Sequence, residues 1–85
     1  MVGCGGYGKV SPETYEYAKA LYSITNRQSS ERLDRAEEMI LAARDAQELP
    51  AAESEWLLAI VADARGGDWE GASQEARRLM DDQVD

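Results

Sequence analysis

Histidine and phenylalanine are absent from this 85-residue chain, cysteine occurs once, at position 4, and proline only at positions 12 and 50. Each scarcity excludes something. Without an imidazole, no side chain of the usual kind activates a thiol nucleophile or joins cysteine at a zinc ion, so Cys4 is a weak nucleophile and a poor metal ligand. A single cysteine closes no internal disulfide and points to no redox compartment. The longest apolar run, WLLAIVA at 56–62, falls far short of the ~20 residues a bilayer crossing needs, which argues against direct membrane insertion by the chain. So few prolines leave long stretches free to be helical, and alanine and leucine outweigh the β-branched residues that favour strands.

What the chain does have is acid. The net charge is −8, and it is unevenly placed: residues 31–85 carry fifteen acidic and six basic side chains. A surface of this sign repels phosphate backbones and anionic lipid headgroups, so nucleic-acid binding is not expected. The plain reading is a solvated face that keeps the chain soluble; the sharper one is a partner with a basic patch. The carboxylates do not announce catalysis. Glu37–Glu38 and Asp81–Asp82 are sequence neighbours, and on a helix neighbours splay about 100° apart instead of converging on one atom. Asp81, Asp82 and Asp85 lack the spaced loop that organises oxygen ligands around calcium. No enzyme activity, cofactor or metal is expected.

The periodicity predicts an all-α domain of four helices, about 12–27, 30–46, 51–65 and 69–82. Ser11 reads as an N-cap before Pro12 and Glu13, with Val10 placed to staple onto Tyr15. The first helix carries a stripe of Tyr17, Leu21 and Ile24. Ser29 or Ser30 caps the second, which repeats at Leu33, Ala36, Ile40 and Ala43, with Glu31–Arg35 at pairing distance. Pro50 opens the third, whose apolar set is Trp56, Leu57, Ile60, Val61 and Ala64. Gly66 and Gly67 end it, and Asp68 caps the fourth, with Trp69, Ala72, Ala76 and Leu79 on one side. Short connections make these two antiparallel hairpins. Residues 1–10 read as a disordered glycine-rich leader, and 11–85 as one helical domain with a frayed C-terminal tail.

The leader, MVGCGGYGKV, imitates three nucleotide loops and satisfies none. Gly3, Gly5 and Gly8 have dinucleotide-loop spacing, but that loop needs a strand before it. Gly3 to Gly8-Lys9 begins like a P-loop, but Val10 stands where a hydroxyl must meet magnesium. The kinase glycine loop needs companion histidine and phenylalanine motifs that the chain lacks.

The two hairpins superimpose at an offset of 36, placing Leu33, Ala36, Ile40 and Ala43 on Trp69, Ala72, Ala76 and Leu79. Periods near this value mark helical repeat arrays. Residues 54–82 resemble a tetratricopeptide repeat through Trp56, the turn glycine Gly67, Trp69, Ala72, Ala76 and Leu79; residues 17–46 do so more faintly. Ile60 stands where that family has a small residue and Asp63 where it has a large aromatic, which keeps a small four-helix bundle as the alternative. The resemblance implies a non-catalytic binding or scaffold module whose groove face would hold Ser54, Leu57, Val61, Ala64 and Arg65, though Leu57 and Val61 read equally well as core. The rival is a small acidic inhibitor, a polyanion mimic that blocks a basic site. A domain this small also makes a homodimer credible.

Val2-Gly3-Cys4-Gly5 resembles the end of a bacterial lipoprotein signal, in which the cysteine becomes the lipid-bearing N-terminus. If such a signal lies upstream, the chain is an envelope protein anchored through Cys4, with Gly5, Gly6 and Gly8 as tether; otherwise it is cytoplasmic, and Cys4 is a free thiol.

Overall fold

Local chemistry sets the helix boundaries in this computed structural model, which describes residues 10–81. The four helices are α1 (Pro12–Arg27), α2 (Ser30–Asp45), α3 (Ala51–Arg65) and α4 (Trp69–Asp81). The Ser11 hydroxyl accepts from the Thr14 amide and the Ser29 hydroxyl from the Arg32 amide, so each takes one of the unpaired donors at a helix start. The Asp68 carboxylate does the same for Gly71 at 3.0 Å. Pro50 offers no side-chain cap to α3. Residues 1–9 and 82–85 lie outside the described residues, and Val10 is partly buried against the core. α2 stops at Asp45, one residue before the expected end.

All three connections close by the same device. The amides of Ser29, Glu48 and Asp68 reach back five residues to the carbonyls of Ile24, Ala43 and Asp63. Inside each, Gln28, Gln47 and Gly67 donate to the carbonyl three residues earlier. These are paired C-terminal bonds around one left-handed residue. Gly67 takes that conformation freely, whereas Gln28 and Gln47 take it at φ 53° and 62° against the steric preference of an L-residue.

Three side-chain links show how the helices run. Ser73, at the start of α4, donates to the Asn26 side chain at the end of α1 at 2.9 Å. Glu53, early in α3, accepts from Ser11 and Thr14 at the start of α1. Arg65, at the end of α3, pairs with Asp34 and Glu37 near the start of α2. α1 and α3 are therefore parallel, and each is antiparallel to α2 and α4.

α1 packs more extensively on α4 than on any other helix, α3 packs on both α4 and α2, and the backbones of α2 and α4 do not approach closely. The first and last helices thus close the two hairpins into a four-helix bundle, with α1 and α3 in contact across it. Small residues permit the close approach: Ala18, Ala72 and Ala76 are fully buried. Leu21, Leu33, Ile40, Leu57, Ile60 and Leu79 fill the centre, each contributing about 1.5–3 kcal/mol of transfer free energy.

Candidate functional site

The face implied by the repeat resemblance does not reach solvent. Ser54, Leu57, Val61 and Ala64 are all buried, because α1 and α4 close over the side of α3 that an open repeat would leave as a groove. Leu57 and Val61 are core residues. The Ser54 hydroxyl bonds its own helix, donating to the Ala51 carbonyl at 2.8 Å. Only Arg65 of the five is exposed. Its guanidinium bridges Asp34 and Glu37 across to α2, and those carboxylates hold its pKa above the ordinary arginine value. Cys4 lies outside the described residues.

A different surface has the form of a binding groove. Between α1 and α2 runs a trough of about 410 Å³, walled by Tyr17, Ala20, Ser23 and Ile24 on one side and by Arg32, Arg35, Ala36 and Met39 on the other. Its origin is steric. Ala20, Ser23 and Ala36 are too small to fill the seam, so the two helices meet thinly there. Larger side chains stand at the ends. Met39, 53% exposed, is the one large hydrophobic side chain among the described residues left mainly in solvent. Tyr17 is half-buried beside it, and Ile24 is a core residue that shows its edge. An unbranched thioether suits such a place, since it adapts its shape to a visiting surface.

A second cleft, of about 320 Å³, lies between the end of α1 and the start of α4, beside Trp69. Its inner polar groups are already engaged: Thr25 donates to the Leu21 and Tyr22 carbonyls, and Ser73 to Asn26.

Glu53 is the carboxylate with the most built environment. It accepts from the Ser11 amide at 3.0 Å and from the buried Thr14 hydroxyl at 2.7 Å. Burial pushes its pKa up, but hydrogen bonds from the Ser11 amide and from the Thr14 and Ser11 hydroxyls outweigh that and hold it below the ordinary glutamate value. A carboxylate so held is charged and occupied, which suits a structural clasp and not a proton carrier. Among the described residues, no group of three acidic, histidine or cysteine side chains is placed to hold a metal ion, and no helix is long and apolar enough to cross a membrane.

Periodicity alone misses the groove, because Met39 and the arginines sit on the flank of a stripe otherwise read as core. The only sequence signal was Met39 beside Ala36 and Ile40 with small residues opposite. No family model, no curated protein and no solved structure matches the chain.

Proposed function

We propose that this chain is a non-catalytic protein-interaction module that receives an amphipathic helical segment of a partner protein in the α1–α2 groove. The observation that carries the reading is Met39, an exposed hydrophobic side chain at the mouth of a trough with apolar walls. Helix-in-groove recognition needs little more: an apolar seam about two turns long and a partner helix with a matching stripe. The candidate face on α3 is replaced in this reading by Tyr17, Ile24 and Met39.

The test uses a synthetic leucine-striped amphipathic peptide as probe and the methionine methyl resonances as reporters. Met39 is expected to shift on titration while Met80, on α4 and away from the seam, stays put. Met39→Glu, at an exposed position, is expected to abolish binding without loss of helicity. Equal binding to the variant, or shifts confined to Met80, overturns the reading.

The acidic-mimic alternative rests on the exposed carboxylates outside this groove, such as Asp45, Glu48, Glu55 and Asp63. It predicts binding to an arginine-rich peptide that collapses as salt rises and leaves the Met39 methyl resonance unmoved, whereas binding in the apolar seam moves it. Lipid attachment at Cys4 would make the same module an envelope protein. Intact mass and membrane partitioning after expression from the upstream DNA distinguish an acylated N-terminal Cys4 from a free thiol.

A further inference from the structure

Resting on that reading of the groove, we infer that its occupant is an acidic amphipathic helix, with carboxylates one turn apart that meet Arg32 and Arg35.

The pairing pattern of the arginines supports this. Arg44, Arg65, Arg77 and Arg78 each lie within ion-pair distance of a carboxylate. Arg32 and Arg35 form no ion pair among the described residues, although the chain is strongly acidic. The expected Glu31–Arg35 pair does not form. Glu38, one turn beyond Arg35 on α2, does not pair with it either. Arg27, also without an ion pair among the described residues, is exposed in the last turn of α1, at the same end of the hairpin. Two exposed guanidinium groups thus line one half of a single trough, with Arg27 on the facing helix at the same end of the hairpin, on a molecule of net charge −8.

The trough fixes the geometry of what fits. Arg32 and Arg35 are three residues apart, so their Cβ atoms lie about 5–6 Å apart along the helix. Carboxylates at i and i+3 or i+4 of a docked helix have the same spacing. From Arg32 to Met39 the wall rises about 10 Å, two turns. A short helix laid along it sets one apolar side chain against Met39 and Tyr17 and its acidic turn against the arginines. The small side chains of Ala20, Ser23 and Ala36 let it approach closely. A second copy of this chain is a poorer fit, because two molecules of charge −8 repel. The field of the remaining carboxylates also disfavours polyanions larger than a local acidic segment, which must cross it.

The experiment uses the full chain and three peptides of about 15 residues, roughly four turns. They share a leucine stripe at i, i+3 and i+7, and their flanking positions are all Glu, all Gln or all Lys. Affinity is read by fluorescence anisotropy, and site by the Met39 methyl resonance. The Glu peptide is expected to bind about tenfold more tightly than the Lys peptide at low salt, with the gap closing as ionic strength rises to ~0.5 M. Arg32→Glu with Arg35→Glu, both exposed, is expected to reverse that order while circular dichroism stays unchanged. Arg32→Lys with Arg35→Lys should keep it.

If all three peptides shift Met39 with equal affinity, the groove reading stands and the acidic occupant is wrong. If none shifts Met39, both fail. Preference for the Lys peptide overturns the inference. So does binding of phosphatidylglycerol vesicles through Met39 in place of peptides, or a concentration-dependent dimer that shields Met39.

Discussion

Glu53 joins two helix starts that would otherwise repel. α1 and α3 are parallel, so their positive dipole ends lie side by side. The Glu53 carboxylate sits in the first turn of α3 and accepts from Ser11 and Thr14 of α1. Removing it by Glu53→Ala leaves the fully buried Thr14 hydroxyl without its acceptor and the Ser11 amide without its partner. A hydrogen bond to a charged group contributes about 1.5–3 kcal/mol when buried. Partial exposure of Glu53 lets water substitute, which reduces each bond to about 1 kcal/mol. Part of the helix-dipole contribution, about 0.3–1 kcal/mol, is lost as well. The expected loss is therefore about 2 kcal/mol, or about 10 °C in Tm for a domain of this size. Glu53→Gln keeps an acceptor and loses only the charge, so it should cost about half as much. Thermal and urea melts of Glu53→Ala, Thr14→Val and the double variant form a cycle whose coupling is expected near 1 kcal/mol.

The pH dependence gives a second readout with a definite sign. The folded pKa of Glu53 lies below its unfolded value, so the unfolded state binds its proton first as pH falls. The contribution is fully present above the ordinary glutamate pKa and is lost as pH drops through the folded one. In Glu53→Gln that part of the acid slope should disappear. A Glu53→Ala variant within about 0.5 kcal/mol of the parent, or an acid limb unchanged in Glu53→Gln, refutes the clasp.

Four further substitutions test the packing and the turns. Ala76→Leu forces bulk into the packed core side of α4, where Ala76 is fully buried, and should destabilise by about 1–3 kcal/mol in a urea melt. Asp68→Ala removes the cap that holds the Gly71 amide and should cost about 0.5–2 kcal/mol. Gln28→Gly and Gln47→Gly relieve left-handed backbone and should each stabilise by about 0.5–1 kcal/mol, the released strain exceeding the added unfolded-state entropy.

Those two glutamines show where sequence reading stops. The helix positions followed from spacing and caps, because Ser11, Ser29 and Asp68 are polar residues in front of periodic apolar runs. The turns between them were legible as breaks but not as one repeated motif, since only Gly67 carries the residue that the left-handed position prefers. The core was read from its aliphatic members, and its polar members were missed. Thr14, Thr25 and Ser54 are buried. Thr25 and Ser54 satisfy their hydroxyls on their own helix backbone and Thr14 does so on Glu53, so nothing about their residue type advertises burial. Leu49 escaped for the opposite reason. It lies in a connection, outside any helical period, yet it is buried. The candidate site was hidden by topology: whether a face of α3 is groove or core depends on where α4 returns, and spacing carries no information about that.

The same topology makes α2 the helix best suited to respond to a partner. α1, α3 and α4 pack on one another, whereas the α2 backbone approaches only α1 and α3 closely, and its seam with α1 is thin. Its outer anchors are the Arg65 pairs with Asp34 and Glu37, which are exposed and screened by salt. Low local support lowers the free energy of local opening. Native-state hydrogen exchange should therefore show α2 amides opening before those of α1 and α4, and more so in Arg65→Ala. An occupant of the α1–α2 groove should slow α2 first, because it supplies on the open side the packing that α4 gives to α1 and α3. If α2 exchanges only through global unfolding, as slowly as α1, the groove is a rigid slot. Docking there would then have to proceed without the shift of α2 that its sparse contacts permit.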